Sequence, residues 1–122
     1  MFFFAPMSVE KQYKWHKVAE STAEITQRGS RTTALVKAAG KEICIAFHKD
    51  SLKACVAKCP HAGAYMHEGW VDALGNIVCP LHRYKFSLTN GRNVSGEGYH
   101  LKTYPVKETD DGVFVGIEVG VW

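Results

Sequence analysis

Cys59-Pro60-His61 and Cys79-Pro80-Leu81-His82 constrain this chain more than any other feature of its sequence. Two thiolates and two imidazoles make a four-donor set for a transition metal. A fold that uses them must bring two loops, separated by seventeen residues, to one place and hold them there. Each half keeps its two donors close enough to point into a shared site. Two such halves on neighbouring loops can clamp a cofactor from both sides. Pro60 and Pro80 each remove a backbone donor and fix φ just after a cysteine, which stiffens both loops. Gly63 lets the backbone turn tightly beside the first.

Around these segments the chain has a strand rhythm. No long window carries a 3.6-residue period. Short alternating runs recur instead, each closed by a turn signal. Thr32–Lys37 ends at Ala39-Gly40, and Lys41–His48 alternates with Ile43, Ile45 and Phe47 on one face. Lys49-Asp50-Ser51 turns the chain into Leu52–Lys58. Val71 precedes a turn at Gly75-Asn76, followed by Ile77-Val78, and Lys85–Leu88 ends at the hairpin dipeptide Asn90-Gly91. Leu101–Lys107 runs to Asp110-Asp111-Gly112, and Val113–Val119 closes the pattern. Eight or nine strands with frequent turns predict an all-β antiparallel sandwich or barrel. The stretch from His16 to Ser30 is ambiguous and has room for one helical turn.

Length limits the chain to one domain: 122 residues are too few for two ordinary ones. We place the domain at 10–122 and read 1–9 as an extension, floppy or forming an added strand. Its apolar start, Met1–Met7, ends at Pro6 and lacks the basic region of a secretion signal. A reducing, cytoplasmic location is therefore expected, and structural disulfides are not. No apolar run approaches the length of a membrane-spanning helix. The net charge of +3 is scattered along the chain, which does not suggest a nucleic-acid partner. There is no nucleophile elbow, phosphate-binding glycine loop or dinucleotide fingerprint, hence no substrate site of the chain's own.

The spacing C-x-H, seventeen residues, C-x-x-H resembles the signature of the Rieske iron–sulfur family. The flanks extend the resemblance: "CPHAGAYMHEG" and "CPLHRYKFSLTNGR" look like the cluster-binding loops of its low-potential, ferredoxin-like branch, and "LKTYPVKETDDGVFVGI" like its final hairpin. The resemblance implies a Rieske-type fold with a cluster-binding subdomain at one tip and a Rieske [2Fe–2S] cluster. Cys59 and Cys79 would hold the inner iron and His61 and His82 the outer one. Two histidines in place of two cysteines raise the potential above that of plant-type clusters. With two ferric ions, two sulfides and two thiolates the oxidised centre is neutral, so adding an electron costs less than adding it to a dianion.

Departures from the family pattern place the chain within it. The high-potential branch has an extra cysteine in each loop, where Ala64 and Leu81 stand here. It also has a serine and a tyrosine that hydrogen-bond cluster sulfur, at positions matching Tyr84 and Phe86. Losing those bonds lowers the potential, so the expectation is the low end of the Rieske range, about −150 mV rather than about +300 mV. Arg83 stands where relatives often have glycine, and the third loop, Ser95–His100, lacks their prolines and is rich in glycine, which suggests a mobile cover.

The implied function is a soluble electron carrier that passes single electrons from a reductase to a terminal enzyme such as an oxygenase. At this length a mononuclear-iron catalytic domain or a membrane anchor is not expected in the chain. The alternative is a small subunit bound to a larger oxidoreductase, for example a nitrite reductase. A third reading is a zinc-stapled binding module, although zinc sites usually group cysteines with cysteines and histidines with histidines. Cys44 and Cys55 lie on strand patterns among apolar neighbours and read as core. Trp15, Trp70 and Trp122 read as packing residues, with Trp70 over the first loop. His16 and His48 read as surface or strand-edge residues, and His67 and His100 have positions from which they could approach the cluster.

Overall fold

The computed structural model describes residues 12–26, 32–61 and 63–119. Among the described residues, ten strands form three antiparallel sheets. The first holds β1 (Tyr13–Ala19), β10 (Gly112–Glu118) and β9 (Val106–Thr109), in the order β1-β10-β9. The second runs β2 (Thr33–Ala38), β3 (Lys41–His48), β4 (Ser51–Val56) and β8 (Thr103–Tyr104). The third is small: β5 (Trp70–Val71), β6 (Asn76–Val78) and β7 (Lys85–Ser87). One short helix, α1 (Thr22–Thr26), supplies the helical turn allowed between His16 and Ser30, and a 3₁₀ turn covers Met66–Glu68.

Turn chemistry fixes the register of the second sheet. Ala39 and Gly40 both have positive φ, as do Lys49 and Asp50. Two left-handed residues in a two-residue loop match the twist of a hairpin. The result pairs Ala38 with Lys41 and His48 with Ser51, and carries Cys44 opposite Cys55. Asn90-Gly91 behaves differently. Gly91 N–H donates to Ser87 O at 2.8 Å, but beyond this turn only the isolated bridges Phe86 to Asn93 and Arg92 to His100 form.

Two expectations need correction. Tyr13–Ala19 is a full strand paired to β10, so His16–Ala19, the start of the ambiguous stretch, is strand. Its sequence mixes Lys, His and Trp with only one buried residue, so alternation is weak there. Leu101–Lys107 is not one strand. Pro105 cannot donate to a ladder, and the chain changes sheets there: β8 pairs with β4 and β9 with β10. Residues 1–9 and Trp122 lie outside the described residues.

The buried side chains form two cores that meet at β3. Ile43 and Ile45 face one, with Val36, Leu52, Ala54, Val113 and Val115. Cys44 and Ala46 face the other, with Cys55, Cys59, Cys79, Met66, Ile77, Phe86, Leu88 and Leu101. The strand is thus buried on both sides, and its second face supports the small third sheet and its loops.

Candidate functional site

The two segments singled out in the sequence fold as two copies of one loop. Each springs from a pair of facing residues, Lys58 with Tyr65 and Val78 with Lys85. In the first, Cys59 N–H donates to Ala64 O at 2.7 Å and Gly63 N–H donates to Cys59 O at 2.9 Å. In the second, Cys79 N–H donates to Tyr84 O and Arg83 N–H donates to Cys79 O, both at 2.9 Å. The prolines occupy the same place in each loop, one residue after the cysteine. The residue four after each cysteine is left-handed: Gly63 at φ 75° and Arg83 at φ 63°.

Neighbouring segments hold the loops together. Met66 N–H donates to Ala57 O at 2.7 Å, and Thr33 Oγ1 donates to His67 O at 2.7 Å, which ties the exit of the first loop to β2. Gly69 presses against the base of the second loop so closely that a Cβ there would lie 1.8 Å from Val78 O. Only glycine permits that approach.

Within this frame the four predicted donors sort by depth. Cys59 and Cys79 are buried, at 3% and 0% exposure, and neither is in a disulfide. His61 is half-buried and His82 exposed. Their Nδ1 atoms approach to 3.3 Å, with ring centroids 4.8 Å apart. Two buried thiols and two converging imidazoles at the surface fit a cofactor that takes sulfur on its inner side and nitrogen on its outer side. Among the described residues, no three His, Cys, Asp or Glu side chains converge as the shell of a single ion would. The two histidines form a close pair.

An aromatic layer flanks the histidines, and residue spacing alone gives no sign of its arrangement. Tyr84 stacks on His61 with centroids 4.2 Å apart at 29°, and Tyr99 stacks on Tyr84 at 6.0 Å and 30°. Tyr99 also reaches His61, at 5.4 Å. Burial, then the nearby Glu97 carboxylate, push the Tyr84 phenol above its ordinary pKa, with Tyr99 and Cys59 adding to the rise. Its hydroxyl makes no hydrogen bond among the described residues. Phe86, at the other position compared with the high-potential branch, is fully buried in the second core.

The third loop is tied down rather than loose, contrary to the mobile cover expected from its glycines. Asn93 is the hub. Its Nδ2 donates to Lys85 O at 3.1 Å, Ser95 Oγ at 3.2 Å and Glu97 Oε1 at 2.9 Å, while its Oδ1 accepts from the Glu97 and Gly98 N–H groups. Ser95 Oγ donates to Glu97 Oε1 at 2.5 Å and accepts from Lys85 N–H at 2.9 Å. The Ser95 bond, then those from Asn93 and the backbone, hold the Glu97 carboxyl below its usual range against a rise from burial, and His61 is close enough to add to this. An Asn with Ser two and Glu four residues on is the signal that could have revealed this loop.

The remaining candidates fall outside the site. Cys44 and Cys55 are fully buried core residues, as expected. Trp70, read as a packing residue, is 46% exposed. Trp15 packs beneath the Lys107 ammonium, 4.3 Å from its ring. His67 stands edge-on to Tyr65, and His48 bonds Ala73 O; neither joins the His61–His82 pair. His100 bridges to Arg92 instead.

Comparison with known proteins gives a consistent picture. A family profile described as "Rieske [2Fe-2S] domain" matches residues 14–105. The ferredoxin component of an alkene monooxygenase system from Xanthobacter autotrophicus is 26% identical over 77 residues, covering 63% of each chain. The chain thus spans less than two thirds of that relative's length. The ferredoxin component of naphthalene 1,2-dioxygenase/salicylate 5-hydroxylase systems from a Ralstonia species is 32% identical over 84 residues, 68% of this chain and 80% of that one. Among solved structures, the ferredoxin of carbazole 1,9a-dioxygenase from Nocardioides aromaticivorans shares the fold. Its TM-score is 0.73 at 23% identity, over 84% of this chain and 96% of that one.

Proposed function

Because the chain belongs to the Rieske [2Fe–2S] domain family, we propose that it is an electron carrier, taking single electrons from a reductase and delivering them to a terminal enzyme such as an oxygenase. Its cofactor is a Rieske-type [2Fe–2S] cluster. In this reading Cys59 and Cys79 supply the two thiolates and His61 and His82 the two imidazoles, through the Nδ1 atoms that face one another. The cluster supplies a site that stores one electron at a time.

The observation that carries the proposal is the depth gradient of the donors. Burial of both thiols keeps water from one side of the site and excludes small reagents from sulfur. The exposed edge of His82 and the half-buried ring of His61 bring the other side to the surface, where a partner can approach closely. Tyr84 and Tyr99 shield the flank of His61 and hold its ring plane. Each loop is closed by its own backbone, which limits the loop movement that a change of charge at the donors could drive.

We further propose the low end of the Rieske range for the midpoint potential, about −150 mV. The lack of a hydroxyl at Phe86, and a Tyr84 ring stacked on His61, support this. We also propose residues 10–122 as the domain and the cytoplasm as its location. No helix among the described residues is long and apolar enough to cross a membrane. An anaerobic redox titration followed by electron paramagnetic resonance tests the reading. The expected result is a red-brown protein with a two-histidine signal on reduction and a midpoint well below zero. A colourless zinc protein would overturn the carrier reading, and a midpoint above zero the potential. Purification in fixed ratio with a larger enzyme would favour a bound subunit.

A further inference from the structure

The two loops share a backbone but differ at one position, and that difference has a physical cost. Gly63 and Arg83 occupy the same place, four residues after the cysteine, and both donate to that cysteine's carbonyl with left-handed φ. Glycine adopts this conformation freely, whereas a residue with a Cβ is strained. The other left-handed non-glycine residues among those described, Ala39, Lys49 and Asp50, all sit in two-residue hairpin loops. Arg83 is the exception, in a loop whose twin uses glycine.

At that strained position stands an exposed cation. Arg83 directly follows the exposed His82, and its guanidinium makes no hydrogen bond or ion pair with any described residue. Leu81 on one side is 55% exposed, and Tyr99, which packs on His61, is 41% exposed. The nearby carboxylate, Glu97, is taken up by Ser95 and Asn93 rather than by Arg83. Among the described residues nothing uses the charge that the strain holds in place. Strained residues cluster at functional sites, and guanidinium matches carboxylates through paired hydrogen bonds.

We propose that Arg83 is the contact through which this tip docks on a carboxylate-bearing face of a protein redox partner. The inference rests on the electron-carrier reading and adds to it the chemistry of the partner's surface. Contacts between electron-transfer proteins are small and short-lived. In such an encounter one well-placed charge governs orientation and association rate.

Two charged one-electron oxidants and one peptide test this. Hexacyanoferrate(III), a trianion, and hexaammineruthenium(III), a trication, each accept one electron from the reduced holoprotein in stopped flow. At low salt, R83G should slow hexacyanoferrate about threefold and R83E about tenfold, while both speed hexaammineruthenium. R83K should stay within about twofold of the parent, and high salt should erase the differences. A fluorescent hexaglutamate peptide should bind R83G and R83E at least about threefold more weakly than the parent. Removing the left-handed side chain should also raise the unfolding temperature of R83G, which separates lost charge from damage. Unchanged rates and peptide binding in R83G and R83E, or equal slowing of both oxidants, would overturn the proposal. If the protein holds no reducible cluster, the carrier reading fails at that step, and peptide binding still decides the role of Arg83.

Discussion

The two faces of β3 are equally buried and chemically unlike. Ile43 and Ile45 pack with Val, Leu and Ala in an aliphatic core. One residue along, Cys44 and Ala46 look into a core with three further cysteines, Met66 and Phe86. The aliphatic side is built from residues whose only contribution is apolar area, and stability follows from that area. The other side also packs tightly, but two of its four thiols are placed at the mouth of loops. Burial therefore does not separate the strand cysteines from the proposed ligands here, since all four are 0–3% exposed. The backbone that carries each one does: strand interior for Cys44 and Cys55, loop entry for Cys59 and Cys79.

That contrast can be broken by substitution. The largest effect belongs to Cys79→Ser or His82→Cys, either of which should abolish the two-histidine resonance signal and lower the unfolding temperature, because cofactor binding is partly folding energy. Ile45→Ala, on the opposite face, should cost about 2–5 kcal/mol in denaturant unfolding through lost area and a cavity, with the cluster spectrum retained in the folded fraction. A spectrum lost along with the folded core would merge the two faces into one unit.

Smaller effects sharpen the same comparison. Cys44→Ala should cost about 1 kcal/mol and leave the spectrum unchanged. Loss of the spectrum in that variant would show that the sulfur-bearing core is itself part of the site. Asn93→Ala removes the hub of the third loop and should expose the Tyr84–His61 stack, seen as faster quenching of tyrosine fluorescence in the metal-free protein. The smallest effect concerns Asp72 at the β5–β6 turn. Slight burial raises its pKa, but the Asn76 backbone and side chain and the Leu74 N–H donate to it and win, so the folded pKa lies below the ordinary one. Its stabilisation is thus present above the ordinary carboxylate pKa and is lost as pH falls through the lowered one. Asp72→Asn should remove about 0.5 kcal/mol of that acid sensitivity, measured by thermal unfolding from about pH 7 to about pH 3.

How much of this was legible in the residues depends on the same division. Lys41–His48 reads as a strand because alternation and turn chemistry agree, and its bounds match β3. The four donors stand out because two cysteines and two histidines beside prolines have no common packing role. Tyr13–Ala19 was illegible because its pairing with β10 is specified by a strand far along the chain. Pro105 carried a readable warning, since a proline inside an alternating run favours a break over a continuous ladder. Tyr84 and Tyr99 could not be placed because their stack joins two loops, and stacking leaves no trace in spacing. The glycines of the third loop were misleading: flexibility of single residues says little when one asparagine gathers the loop around itself.

The self-closed loops also show where the stiffness of the tip comes from. The four backbone hydrogen bonds that shut Cys59–Ala64 and Cys79–Tyr84 involve none of the side-chain atoms proposed as ligands. Each bond joins one main-chain group to another within the same loop. Each residue that these bonds hold in place has given up roughly 1–2 kcal/mol of backbone entropy within its own loop. The rigidity of each loop is therefore written into its main chain, whatever its side chains hold.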